Sequence, residues 1–175
     1  MKELLSREDI SYYKLESPRE VDKIDIPEEE GGFDFFHGLG IIGYDQAFKM
    51  WLRKFPRPVL IIAVQRNTVV GWVYVEEWNE VAYDLMPVYV LRAIEIHPDF
   101  RRMHIGCTLL MLVLKETNGY VIAKPLTSEG ESFFKEAGFK SADDFRKVPL
   151  DISKQPKYLI LSPYMRDRII DKLNK

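Results

Sequence analysis

The chain has 175 residues, 25 Lys and Arg against 27 Asp and Glu for a net charge of −2, and 46% hydrophobic and 30% charged residues. That length suits one domain burying roughly 70% of its unfolded surface, and the composition excludes a disordered chain. The near-neutral charge excludes a global field for nucleic acid or an anionic membrane, the single cysteine excludes an intrachain disulfide, and the lack of a long apolar run or apolar leader gives the expectation of a cytoplasmic protein.

Residues 10–15 are predicted as a first strand. Residues 20–34 carry seven acids against one lysine, with Pro27 and Gly31-Gly32, and have no apolar period, so they are predicted as a solvated loop. That acidity weakly favours a cationic partner. Residues 44–55 set Ala47, Phe48, Trp51, Leu52 and Phe55 at helical spacing, closed by Pro56. The β-branched runs 59–64 and 69–75 are separated by four residues only, which predicts an antiparallel hairpin with Asn67 at positive φ.

Residues 88–96 are predicted as a strand ended by His97-Pro98. Residues 105–116 form a helix so apolar that it must be largely buried. Residues 120–123 make the next strand, 129–137 a short helix stopped by Gly138, 157–161 a late strand, and the tail PYMRDRIIDKLNK an amphipathic helix. Residues 88–123 thus predict a right-handed βαβ unit with parallel strands, and ligands favour the carboxyl ends of such strands. The fold class expected is α/β (α+β): one domain over residues 1–175, a mixed twisted sheet of about six or seven strands flanked by helices, with 154–175 as terminal strand and helix.

Chemistry concentrates in HPDFRRMHIGCTLL, residues 97–110. A helix entered from a strand leaves its first amides without partners, and with the helix dipole they form an anion site. Arg101 and Arg102 beside those amides suit a diphosphate, because Arg forks phosphate oxygens. Gly106 lets a ligand approach the first turn. The plain alternative is a pair of solvated arginines and a glycine that serves packing.

The stretch LRAIEIHPDFRRMHIGCTLLMLVL resembles the cofactor motif of the GNAT superfamily of acyl-CoA-dependent N-acetyltransferases, L-x-x-L-x-V-x-P-x-Y/F-R/Q-x-x-G-x-G/A-x-x-L-L. Leu91, Ile94, Ile96, Pro98, Phe100, Arg101, Gly106, Leu109 and Leu110 fall on its positions. SFFKEAGF resembles the second signature, a short helix ending in Gly-Phe beside the thioester, and VLIIAVQRNTVVGWVYV resembles the strand pair that precedes the motif. The resemblance covers residues 59–139.

The resemblance implies that acetyl-CoA is the cosubstrate, with its pyrophosphate in the backbone amides of Arg102, Met103, His104, Ile105, Gly106, Cys107 and Thr108 and with Arg101 at the loop's start. The strand holding Ile94 and Ile96 would pair with the pantetheine arm, and Phe134 would lie beside the thioester. Direct attack by a primary amine is implied, with no metal. Two positions depart from the pattern. His104 stands at the loop's first glycine, so either the loop bends around a side chain or the imidazole touches phosphate. Phe134 replaces a frequent tyrosine, so no general acid is carried over.

Acyl transfer to an amine requires removal of a proton and stabilisation of an oxyanion. Glu95 is the best-placed candidate base, directly or through water, the alternative being a paired strand carboxylate; Tyr120, Ser128 and Glu129 are weaker candidates. Gly38 to Gly43 spell G-x-G-x-x-G, yet no buried strand precedes them and a hairpin follows, so they are expected to form a loop over the acceptor cleft rather than a dinucleotide site. His97, His104 and Cys107 match no zinc spacing. The aromatics, Trp51, Trp72 and Trp78 among them, read as core in the absence of a basic groove. The expectation is an N-acetyltransferase acting on an amine, without nucleic acid or membrane partners and with homodimerisation open; the alternatives are a non-catalytic acyl-CoA-binding module and a dinucleotide enzyme.

Overall fold

The computed structural model describes residues 1–29, 31–36 and 43–174. Seven strands form one sheet in chain order: β1 (Lys2–Arg7), β2 (Ile10–Lys14), β3 (Val59–Gln65), β4 (Thr68–Val81), β5 (Pro87–Ile96), β6 (Tyr120–Ala123) and β7 (Leu159–Leu161). Every neighbouring pair is antiparallel except β5 and β6, which are parallel. The crossover between those two is α2 (Ile105–Glu116); the other helices are α1 (Tyr44–Leu52), α3 (Ser128–Ala137) and α4 (Arg166–Leu173).

Local chemistry explains most of these elements. Arg66 and Asn67 take φ of 50° and 74°, the left-handed pair that a two-residue hairpin matched to strand twist requires. Glu8 and Asp9 do the same at 50° and 59° between β1 and β2. β1 went unforeseen, because KELLSR has no clean alternation and gains its order by pairing with β2 along one edge and by laying Leu4 and Leu5 against the core. Thr127 accepts the Gly130 amide at 3.0 Å to start α3, and Gly138 at φ 116° ends it. Arg166 donates to the carbonyls of Leu114 and Lys115 at the end of α2.

Two cores flank the sheet. On one face α2, α3 and α4 pack Leu109, Val113, Phe134 and Ile169 against Ile61, Val73 and Val121. On the other, Phe33, Phe36, Tyr44, Phe48 and Trp72 form an aromatic core under α1. A third cluster around Val88, Ile122, Ile160 and Leu150 closes the β6–β7 end. No helix among the described residues is long and apolar enough to cross a membrane.

Residues 20–34 are not simply a solvated loop. Pro18–Lys23 form a 3-10 helix in which Glu20 is only 8% exposed, its carboxylate taking the amides of Glu16 and Ser17 and the N-terminal ammonium. Phe33 is wholly buried. The acids answer local donors, while the scattered Val21, Phe33 and Phe36 reach the core without a period. α1 stops at Leu52, leaving Phe55 97% exposed, as the residue before a proline avoids helical ψ. β4 runs on to Val81 and β7 is shorter than expected.

Candidate active site

β5 and β6 share a ladder only from Val88–Tyr120 to Leu91–Ala123. Beyond Leu91, β5 continues against β4 as far as Ile96, so residues 92–96 have no ladder partner on the β6 side. β6 turns away because Pro125, two residues past Ala123, has no N–H to donate. A bulge accompanies the parting: Ala93 faces Tyr74 and Leu91 faces Val75, leaving Arg92 as the extra residue. Bulges re-aim a strand and its side chains. The gap is a cavity of about 220 Å³, whose walls include Phe35, Leu91, Ile94, Lys124, Thr127 and Phe134.

From Ile96 the chain passes through a 3-10 turn, Pro98–Phe100, into the arginine loop. Arg102 and His104 both lie in the left-handed region, at φ 67° and 59°. The side chain at the family's glycine position is therefore accommodated in a glycine-like backbone, at a cost of about 1–2 kcal/mol. Non-glycine residues held this way cluster at functional sites, and left-handed steps ahead of a helix turn successive N–H groups into an anion-binding concavity.

No side chain caps α2. Its amides are first answered at Thr108, whose N–H reaches the His104 carbonyl at 3.0 Å, so those of Ile105, Gly106 and Cys107 have no acceptor within the helix. The Thr108 hydroxyl returns to the same carbonyl at 2.9 Å, and the Ile105 side chain is buried, so of these two only Ile105 offers an amide unanswered within the helix. A Cβ at Gly106 would lie 3.4 Å from the Phe133 ring, an ordinary van der Waals contact. Arg101, Arg102 and Met103 are exposed at the mouth. Cys107 is half-buried, its thiol pushed up by burial and then by the charge of Glu136, so it is no thiolate nucleophile. Among the described residues no group of three His, Cys, Asp or Glu could hold a metal ion.

Glu95 lies on the opposite face of β5, in the aromatic core. One carboxylate oxygen accepts the amides of Asp34 (2.9 Å) and Phe35 (3.1 Å); the other accepts Tyr44 Oη (2.7 Å) and Trp72 Nε1 (3.2 Å). Burial, then the bond to Glu95, raises the Tyr44 phenol well above its ordinary range, so it stays a donor. Tyr120 is at the far end of β6, donating to Asp84 at 2.9 Å beside Tyr164 at 2.6 Å. Ser128 and Glu129 are exposed in the first turn of α3. Of the G-x-G-x-x-G stretch, residues 38–42 lie outside those described, and Gly43 caps α1 at φ 68°.

The cavity residues Lys124 and Thr127 were missed by sequence reasoning. Pro125 after a short strand and Thr127 as a helix cap were their available signals. Arg92 had none, since a bulge depends on the partner strand's register.

The family model for the acetyltransferase (GNAT) family matches residues 25–128, which spans the aromatic core, β3 to β6 and the arginine loop. No match was found among curated protein sequences. The fold is similar to that of AtaTR bound with acetyl-CoA, at 12% identity and a TM-score of 0.63, covering 95% of this chain and 99% of that one. It is similar to the KacTA–DNA complex, at 10% identity and 0.66, covering 93% and 99%. It is also similar to a putative GNAT-family acetyltransferase from Desulfovibrio desulfuricans, at 13% identity and 0.62, covering 88% and 99%. With most of its sheet and the whole loop inside the matched region, the chain belongs to the acetyltransferase (GNAT) family, whose enzymes take their acetyl group from acetyl-CoA.

Proposed function

We propose that this chain transfers an acetyl group from acetyl-CoA to a primary amine by direct attack on the thioester. The observation that carries this reading is the parting of β5 from β6 beside the uncapped start of α2. A strand edge with open N–H and C=O groups suits the amide-bearing pantetheine arm. Amides of Ile105 to Cys107 with Arg101 and Arg102 suit its diphosphate. Acetyl-CoA supplies the activated acyl group; the protein's part is to orient it and to meet charge as it develops. N–H groups along residues 92–96 are suited to polarise the thioester carbonyl, whose oxygen gathers negative charge as the amine attacks.

For the proton on the attacking nitrogen, Glu95 is better suited as a positioning residue than as the base. A carboxylate offers about four lone-pair sites, and four donors use them. Accepting another proton means surrendering one of these bonds, so the ammonium proton leaves to water. On the departing thiolate's side, Phe134 has no proton to give; besides Arg92, the proton-bearing side chains of the cavity are Lys124 and Thr127. The missing phenol equally favours a second reading, a module that binds acyl-CoA without turning it over. AtaT has a structure complexed with acetyl-methionyl-tRNAfMet, at 11% identity and a TM-score of 0.57, so aminoacyl-tRNA belongs among the acceptors to be tried.

Calorimetry with acetyl-CoA, followed by thiol release with a panel of amines, tests the proposal. Binding with release for at least one amine is expected; binding with none supports the module, and absence of binding overturns both. Arg101→Ala with Arg102→Ala should weaken binding about tenfold at low salt and less at high salt, where the charges are screened.

A further inference from the structure

Lys124 follows directly on the last paired residue of β6 and lines two recesses at once. One is the cavity beside Leu91 and Ala93. The other, about 270 Å³, is walled by Lys154, Gln155, Pro156 and Lys157 from the segment leading to β7. Three lysines from two remote segments thus line one recess, and Lys124 is common to it and to the cavity beside Leu91.

No ion pair involves these lysines among the described residues. The carboxylate adjacent in sequence, Asp151, accepts the Ser153 hydroxyl at 2.6 Å and its amide at 3.0 Å, and its charge also meets that of Lys154. Arg92, at the cavity's other wall, is compensated by Glu76. Like charges gathered around a concavity focus a positive potential into it. Three of the seven acids of residues 20–34, which suggested a cationic partner, have partners of their own. Glu20 is spent on backbone amides and the N-terminus, Asp22 on Lys49, and Glu28 on the first amide of α1.

We infer that the amine acetylated by this chain carries an anionic group, phosphate or carboxylate, which docks among Lys124, Lys154 and Lys157 while the amino end reaches the cavity at Leu91 and Ala93. The inference rests on the acetyltransferase reading of that cavity. It requires the acceptor to span two adjoining recesses, so anion and amine are separated by a short linker.

The test compares kcat/KM for O-phosphoethanolamine, β-alanine, ethanolamine and 1,3-diaminopropane in the wild type and in Lys154→Glu with Lys157→Glu. The anionic amines should be preferred by roughly tenfold, through KM, with a preference that shrinks as salt rises. The first two substrates distinguish phosphate from carboxylate. The double variant should abolish or invert the ratio while calorimetric affinity for acetyl-CoA stays unchanged. Equal or better use of the neutral or cationic amines, or a ratio unmoved by the variant, overturns the inference.

A second readout needs no turnover. Inorganic phosphate, against sodium chloride of equal ionic strength, should protect Lys154 and Lys157 from amine-reactive labelling more than the exposed Lys115 of α2. Protection without acetylation of any amine would count against the transferase reading and uphold the anion pocket. No protection and no anionic preference would remove the pocket.

Discussion

Glu95 separates two accounts of the site, and its replacement tells them apart. In Glu95→Ala four donors lose their acceptor. Asp34 is exposed and its amide turns to water. Trp72 and Tyr44 are wholly buried, and the Phe35 amide is partly covered. Leaving a buried donor unpaired costs about 1–3 kcal/mol, so three give about 3–9 kcal/mol, a large part of the roughly 5–15 kcal/mol that holds a domain folded. Glu95→Gln keeps one oxygen for two donors and turns an NH2 toward the other two, giving about 2–6 kcal/mol on the same basis. Urea unfolding followed by tryptophan fluorescence, with an unchanged slope, measures both. As a positioning residue, Glu95 should lose stability in step with activity. A Glu95→Gln protein within about 0.5 kcal/mol of wild type whose kcat nevertheless falls about 100-fold, the size of a lost general base, would refute the reasoning.

Two further outcomes follow from local geometry. His104→Gly removes a left-handed cost of about 1–2 kcal/mol and adds unfolded-chain freedom of roughly 0.5–1 kcal/mol. Stability should therefore hold or rise slightly with acetyl-CoA affinity intact; calorimetry showing a loss beyond about tenfold would mean that the imidazole itself grips phosphate. Glu76 sits among Lys54 at 2.8 Å, Tyr74 at 2.6 Å and Arg92 at 3.8 Å. Burial opposes its charge, but the bonds from Lys54 and Tyr74 outweigh it and hold the carboxyl below its ordinary value. Its contribution is then present above the unfolded value of about 4.3 and lost as pH falls through the lower folded value. Urea midpoints between pH 3 and 7 should fall less steeply on the acid side in Glu76→Gln; identical slopes would contradict the assignment.

The arginine loop and the uncapped start of α2 were legible because their parts are neighbours in the chain. An apolar helix straight after a strand, with arginines between, fixes where open amides fall, and α2 and β6 have the bounds their patterns predict. The hairpin at Arg66-Asn67 was legible for the same reason. The ring beside Gly106 was not, since it belongs to α3. Nor were the partners of Glu95, which come from residues 34, 35, 44 and 72. A carboxylate on a strand reads alike whether it meets water, a substrate or four donors.

Short-range chemistry by itself therefore determined the helix, the hairpin and the loop proposed to receive the cofactor's charge, because hydrophobic period, turn residues and uncapped amides act within a few residues. Tertiary structure alone decided the β1 edge, the bulge at Arg92, the parting of β5 from β6 and the meeting of Lys124 with Lys154 and Lys157. Each of these is a register or a proximity between segments far apart in the chain, and its energy comes from partners that no local pattern names.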